Sequence, residues 1–356
     1  MRVAIIGCGK IADKHVSQIL RIPDCEIVGV CDREILMAGQ LAERFNIKSQ
    51  FDNVEELLNT VKPDVVHITT PPQSHHSLAK QCLEAGCHIY VEKPFTLNYQ
   101  EAQELVGIAE KTGLKMTVGQ ETQFMPAARD MRRLIQEGYL GGPPVHIESV
   151  YCYELSDERY ARVFLGDKNH WLRRLPGGLL QNIISHGIGK IVEYLPSDDV
   201  TVITHGFNSN FLERIGEPDI IDELRVIITD SQKTSAYFTF SSQVSPSLHQ
   251  FRIYGPVNSL IADFEHQTLI KVPKKRHKSY LNQFIPPFTN AKDYSINGFR
   301  NIRRFLKNEL HAESGIYFLI SSFYNSIVNN ESIPLSYRDI LLISNIMEKI
   351  FNQIKL

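Results

Sequence analysis

Near the start of the chain, Gly7-Cys8-Gly9-Lys10-Ile11-Ala12 has the spacing G-x-G-x-x-A and lies between a short apolar strand and a helical pattern. Gly7 permits a tight turn, Gly9 lets the backbone approach a pyrophosphate that a side chain would block, and Ala12 keeps the helix close to the sheet. The free N–H groups of the helix start, around Lys10 and Ile11, then face the anion. Asp32 ends the next strand about 20 residues on, where a ribose partner is expected. Its carboxylate would accept hydrogen bonds from both ribose hydroxyls and repel a 2′-phosphate, which favours NAD. Arg33 beside it can stack on adenine or hold that phosphate, so NADP stays open. The competing reading is an ordinary βα turn with Asp32 capping a helix.

Three further constellations have chemical potential. Lys93 follows the apolar run IYVE and precedes Pro94, which puts an ammonium at the carboxyl edge of a sheet, where ligands bind in open α/β folds. On these residues alone the stronger reading is a surface lysine paired with Glu92. His186 lies in GGLLQNIISHGIGKIVEYL, and Asn182 precedes it by four positions, so both side chains are expected on one helix face. A lone helical histidine is more often structural. Trp171, Arg173 and Arg174 precede Pro176-Gly177-Gly178 and suit a sugar-stacking surface or a phosphate clamp, or else an exposed loop with salt bridges.

The elements that must position these groups alternate through the first 120 residues. Strands are expected at 2–6, 26–30, 65–68, 88–91 and 115–118. Helices are expected at about 11–20, 34–45 (with Leu36, Leu41 and Phe45 toward the core), around 54–58, 77–85 and 99–112. This alternation predicts a doubly wound parallel sheet. Later strands at 145–153, 200–205, 224–229, 234–240, 250–254 and 259–264 have no long helices between most of them, which predicts antiparallel order. The domains are placed at 1–122 and 123–356. The fold class is thus an α/β Rossmann domain followed by an α+β domain.

Four segments, VAIIGCGKIA, ITTPPQSHHSLA, IYVEKPFTLN and GGLLQNIISH, resemble the Gfo/Idh/MocA oxidoreductases. VGQETQFMPAARDMRRLIQEGYLG resembles that family's passage into its second domain. The likeness spans residues 1 to about 195, and the strand-end Glu-Lys-Pro is its most specific element. The resemblance implies an open, largely antiparallel second sheet, often a dimer or tetramer interface, and substrates that are polyols, sugars or sugar nucleotides. It implies that Thr70, Pro71, His75, Glu92, Lys93 and Gln120 belong to the cofactor cleft. It places Lys93 near the nicotinamide, where partial burial beside a cationic ring would lower its pKa and make proton exchange feasible. It makes His186 a shuttle for the hydroxyl proton. The family commonly has an aspartate where this chain has Asn182; an amide can orient a hydroxyl but cannot take its proton. His76 is expected to be the more exposed of the adjacent histidines. Gln123 replaces a basic residue common in the family.

The remaining composition bounds the reading. With 356 residues, 43% hydrophobic, 22% charged and a net charge of −2, the chain reads as a globular protein with no whole-molecule pull toward nucleic acid. Its six cysteines suit neither a zinc site nor a disulfide framework, and fit free thiols in the cytoplasm. No metal is expected, nor any signal peptide or membrane span. The basic run Lys274-Lys275-Arg276-His277-Lys278 leads to a stretch with Phe299, Ile302, Phe305 and Leu306 at helical spacing. Packing of this helix on its own domain is expected over docking to an anionic membrane. The expected function is hydride transfer between nicotinamide and a secondary alcohol or ketone. The alternatives are a glycosidase-type elimination with tightly held NAD and no net redox, and a non-catalytic NAD-binding protein. If Asp32 reads the ribose, kcat/KM for NAD exceeds that for NADP; a large NADP preference in the same assay would defeat the argument.

Overall fold

The computed structural model describes residues 1–154, 167–168, 170–274, 278, 280–311 and 313–354. Of the basic run, Lys275, Arg276 and His277 lie outside the described residues. The chain forms two compact units, Met1–Glu121 with Gly315–Asn345, and Thr122–Ser314 with Ile346–Leu356. A single cut after residue 122 therefore departs from the structure, because Gly315–Asn345 cluster with the first unit.

The first unit is built on β1 (Arg2–Ile6), β2 (Glu26–Cys31), β3 (Gln50–Phe51), β4 (Val65–Ile68), β5 (His88–Val91) and β6 (Met116–Val118). They pair in the order β3-β2-β1-β4-β5-β6, parallel throughout. Val3–Ile6 and Val65–Ile68 are buried on both faces, as expected of apolar runs sandwiched between helices. Those helices are α1 (Lys10–Ile19), α2 (Ile35–Phe45), α3 (Val54–Val61), α4 (His75–Glu84) and α5 (Tyr99–Thr112). In α2 the inward positions are Ala38, Leu41 and Ala42; Leu36, expected inside, is 70% exposed, because the inward stripe begins at Ala38. The strand order reverses between β1 and β4, and at such a switch the carboxyl strand ends diverge to leave a crevice. Gly7, Thr69 and Lys93 follow three of those ends.

Residues from the far end of the chain complete this unit. Tyr337 Oη accepts from the Met116 N–H and donates to the Leu114 carbonyl, both at 3.2 Å. Lys115 Nζ donates to the Glu331 carbonyl at 2.7 Å, and Leu335 and Ile340 join the core formed by Phe95, Leu105 and Val118.

The second unit carries α6 (Pro126–Gln136), β7 (His146–Cys152), α7 (Gly178–Ile183), α8 (Ser185–Val192), β8 (Val200–Phe207), α9 (Asn210–Arg214), β9 (Glu223–Asp230), β10 (Ser235–Ser241), β11 (Leu248–Tyr254), β12 (Ser259–Asp263), β13 (Thr268–Val272) and α10 (Leu281–Leu306). Its sheet runs β13-β12-β11-β7-β10-β9-β8, antiparallel except between β7 and β10. Two further helices follow, α11 (Ser314–Val328) and α12 (Tyr337–Gln353). β3, α6, α9, β13 and α11 have no counterpart among the expected elements. The stretch around His186, expected as one helix, is divided at Ile184 into α7 and α8.

Period-2 alternation on β9 and β10 turns Leu224, Val226, Ile228, Ala236, Phe238 and Phe240 inward, while Ile227 and Tyr237 face out. The amphipathic helix expected to pack on its domain does so only on its polar side. Asn297 bonds both backbone groups of Leu269, accepting at 3.2 Å and donating at 3.0 Å. Arg300 and Arg304 pair with Asp130. Phe299, Ile302, Phe305 and Leu306 are each more than half exposed, so the expectation of a buried apolar face is corrected. Neighbouring isoleucines on β9 give a test of the sheet's two faces. Ile228→Ala, at 0% exposure, should cost about 2–5 kcal/mol and visibly lower the urea midpoint, while Ile227→Ala, at 43%, should cost less than half as much.

Candidate functional site

The glycine loop sits between β1 and α1. Gly7 has φ +95°, and a Cβ there would lie 2.7 Å from the Thr70 backbone nitrogen, so only glycine fits the turn. Around Gly9 a Cβ would meet nothing within 4 Å: the space is open, and the missing side chain leaves it so. Gly9 is the N-cap of α1 and supplies no side-chain cap, leaving first-turn amides available to an anion. Ala12 is fully buried, Ile11 is half-buried and Lys10 is exposed. Asp32 Oδ2 accepts the Cys8 N–H at 2.8 Å and Oδ1 the Glu34 N–H at 3.0 Å. The carboxylate thus braces the loop and the approach to α2, and retains lone pairs for a ribose. Arg33 beside it is exposed. These groups fit a dinucleotide: a glycine turn whose single side chain, Cys8, is buried, uncapped amides and an acceptor at the next strand end.

At the end of β4, Thr70 is half-buried and Pro71 exposed. His75 was expected on the cleft surface, but its exposure is 0%. Its Nε2 lies 2.8 Å from the Thr70 carbonyl, and its Nδ1 lies 2.9 Å from that of Pro94 and 3.2 Å from that of Phe95. Burial lowers its pKa against the pull of those carbonyls. This histidine holds the wall from behind. His76 is the less buried of the two and pairs with Glu104 at 3.0 Å.

Lys93 is half-buried just beyond β5, and the Lys93–Pro94 peptide is cis. Glu92 is buried and does not lie on the cleft surface: Oε1 is 2.9 Å from His15 Nε2 and Oε2 accepts the Lys93 N–H at 3.2 Å. Gln120 is buried at the end of the unit. Cys8 is a buried thiol whose pKa is raised to about 12 by burial and by Asp32, so it stays protonated in the loop.

In the second unit His186 is buried on α8 and Asn182 is half-buried on α7. Tyr151 lies beside His186, ring centroids 5.9 Å apart, and stacks on His249 at 4.2 Å. Its hydroxyl is 2.8 Å from that of Tyr153. His249 Nδ1 meets Glu265 at 2.8 Å, holding that carboxyl below its usual range, while His249 Nε2 is buried with no partner. The Lys190 ammonium lies 3.8 Å from the Phe264 ring centroid. Sequence reasoning missed Tyr151, Tyr153 and His249. The alternation of β7 already put Tyr151 on the face of Ile147 and Ser149, but nothing in the sequence marked that face as the one beside His186.

Arg173 forms a bidentate pair with Glu217 at 2.9 and 3.0 Å, which is the salt-bridge reading and not the clamp. Arg174 is exposed, and Trp171 is half-buried against His170. Gln123, of unassigned role in the sequence, donates to the Gly189 carbonyl at 2.8 Å and ties its segment to α8. Among the described residues no group of His, Cys, Asp and Glu is arranged to hold a metal, and no helix is long and apolar enough to cross a membrane.

Comparison with known proteins bears on the same regions. The family model described as "Oxidoreductase family, NAD-binding Rossmann fold" matches residues 1–120. A D-glucoside 3-dehydrogenase of Escherichia coli (strain K12) is 37% identical over 142 residues, covering 40% of each chain. The chain therefore aligns with about two fifths of that relative's length. The scyllo-inositol 2-dehydrogenase (NAD(+)) of Bacillus subtilis (strain 168) is 28% identical over 274 residues, 75% of each chain. The solved UDP-N-acetylglucosamine 3-dehydrogenase of Acidithiobacillus ferrooxidans shares the fold, with a TM-score of 0.73, 20% identity, and 99% and 98% of the two chains covered.

The two loop glycines separate folding from binding. Gly9→Val should leave Tm unchanged within ~2 °C, because the space is open, yet weaken nucleotide binding at least about tenfold, or ~1.4 kcal/mol. Gly7→Ala should itself cost about 1–3 kcal/mol of stability. Thermal melts and nucleotide titration by calorimetry read both.

Proposed function

We propose that the chain, whose residues 1–120 match the Gfo/Idh/MocA oxidoreductase family, is an NAD(P)-dependent dehydrogenase acting on a secondary alcohol of a sugar, sugar nucleotide or polyol. The observation that carries the reading is Lys93, held at the carboxyl end of β5 with its backbone amide on a buried carboxylate, in the same sheet whose β1 end forms the glycine cradle. The E. coli, A. ferrooxidans and B. subtilis relatives are named for a glucoside, UDP-N-acetylglucosamine and scyllo-inositol, which supports that substrate class.

The bound cofactor supplies hydride chemistry at its nicotinamide C4. Lys93 takes the hydroxyl proton as the carbon loses hydride and returns it in the reverse direction. His186, with the Tyr151 ring beside it, assists. Asn182 orients the hydroxyl by hydrogen bonding and holds no proton, so acid–base work rests on the lysine and histidine. Trp171 and Arg174 orient the sugar or its phosphates, and Arg173 contributes through its pairing with Glu217. Asp32 supports NAD over NADP.

Asn182 also motivates a second reading, a protein that holds NAD without net redox chemistry, either as an eliminating glycosidase or as a non-catalytic binder. The outward Ile203, Ile227 and Tyr237 on the sheet and the bare face of α10 support a homodimer or homotetramer. Six free cysteines, five of them buried, support the cytoplasm.

The test identifies the nucleotide released on denaturing purified protein, then screens glucosides, UDP-sugars and inositols for NADH formation. We expect retained NAD(H) and NADH release with one substrate class. Lys93→Ala should lower kcat about 10²–10⁴-fold and leave nucleotide affinity within about threefold. Glycoside cleavage without NADH would establish the second reading, and failure to bind any nicotinamide nucleotide would sink both.

A further inference from the structure

Behind Lys93 runs a buried chain of four polar side chains that begins at Glu92. Glu92 Oε1 lies 2.9 Å from His15 Nε2 on α1. His15 Nδ1 lies 2.8 Å from His67 Nδ1 on β4. His67 Nε2 lies 2.7 Å from the Tyr324 hydroxyl on α11. His15 and His67 are fully buried and Tyr324 nearly so. The Tyr90 ring closes the side of the chain, stacked on His67 at 4.7 Å and edge-on to His15 at 4.9 Å. Gly119 lies against the carboxylate: a Cβ there would fall 2.5 Å from Glu92 Oε1.

Proton counting orders the chain. Burial pushes the Glu92 carboxyl up, but the hydrogen bond and charge of His15, with Lys93, outweigh it and hold the carboxyl below its usual range. It is therefore an acceptor, and His15 Nε2 donates. Burial, reinforced by His15, drives His67 far below its usual pKa, and burial drives the Tyr324 phenol far up. With His15 neutral, one polarity satisfies every link. Tyr324 O–H donates to His67 Nε2, His67 Nδ1–H donates to His15 Nδ1, and His15 Nε2–H donates to Glu92. Every dipole then points at the carboxylate that grips the Lys93 amide.

We propose that His15 is a positioning residue for Lys93: it aims the Glu92 carboxylate, and Glu92 fixes the backbone from which the ammonium projects. The inference rests on the reading of Lys93 given under the proposed function. The groups facing Glu92 are His15, Lys93 and, through space, His75 and Tyr90, with Glu121 and Tyr324 acting on Tyr90. Among the described residues, His15 is the side-chain hydrogen-bond donor that holds it ionised. Without that donor burial prevails and the Glu92 pKa climbs. The carboxylate is then lost as pH falls through the raised value, and the acid limb of the kcat profile moves to higher pH.

The experiment uses the full chain and the substrate found in the NADH screen, with His15→Phe, His15→Gln, Tyr324→Phe and Lys93→Ala. We expect His15→Phe to lower kcat about ten- to a hundredfold, with nucleotide KM within about threefold, and to shift the acid limb of the kcat–pH profile up by about one unit. His15→Gln, which keeps an N–H donor, should recover most of both, and Tyr324→Phe should move the limb less in the same direction. Histidine-selective ¹⁵N NMR of the nucleotide-free protein reads the chain independently of activity: His15 should carry its proton on Nε2 and His67 on Nδ1 near neutral pH. Unchanged kcat and pH profile in His15→Phe, with turnover lost in Lys93→Ala, would overturn the inference alone. Full turnover in Lys93→Ala would overturn the functional reading instead. If His15→Phe does not fold, wild-type profiles in both His15→Gln and Tyr324→Phe overturn the inference, as does the opposite tautomer at either histidine.

Discussion

A carboxylate at the buried end of β5 constrains everything packed around it. Removing an ionised Glu92 from water costs several kcal/mol unless both oxygens are bonded, and here they are, to His15 and to the Lys93 amide. That need reaches into three other elements. α1 must present His15 inward, β4 must present His67, and the residue after β6 must be small enough to pass. The same sheet edge then holds Lys93 by its backbone amide, while β1, one strand beyond β4, ends in a loop whose Gly9 leaves open space for a diphosphate. The candidate nucleotide cradle and the candidate acid–base group are two products of one strand order.

Much of this was legible in the chain because it acts through the backbone or through strand ends. G-x-G-x-x-A followed by Asp32 describes a loop whose chemistry resides in its amides, and spacing along the sequence is enough to find it. Strand alternation located the second sheet within a residue or two at most ends. The parts that were not legible depend on partners remote in sequence. His67 meets Tyr324 257 positions away, and Arg173 meets Glu217 44 positions away. No local pattern distinguishes a paired arginine from a clamp, or a histidine behind a wall, such as His75, from one on its surface.

The apolar stripe on α10 shows a different limit. Phe299, Ile302, Phe305 and Leu306 have the spacing of a core-facing helix, and periodicity reports only that such a face exists, not what covers it. Here the polar side makes the attachment, through Asn297, Arg300 and Arg304. Around Tyr151, which lies beside His186, the surroundings are similarly tertiary: His249 and Lys190 reach it from a second strand and a helix.

The return of Gly315–Asn345 to the first unit has a consequence for how the molecule is born. During synthesis the six parallel strands leave the ribosome roughly 200 residues before the segment that finishes them, a delay of about 10–40 s at ~5–20 residues per second. Through that interval His67 has no phenol to bond and the core beside Phe95 lacks Leu335 and Ile340. The nascent first unit therefore waits, with part of its core uncovered, for residues 315–345 to emerge.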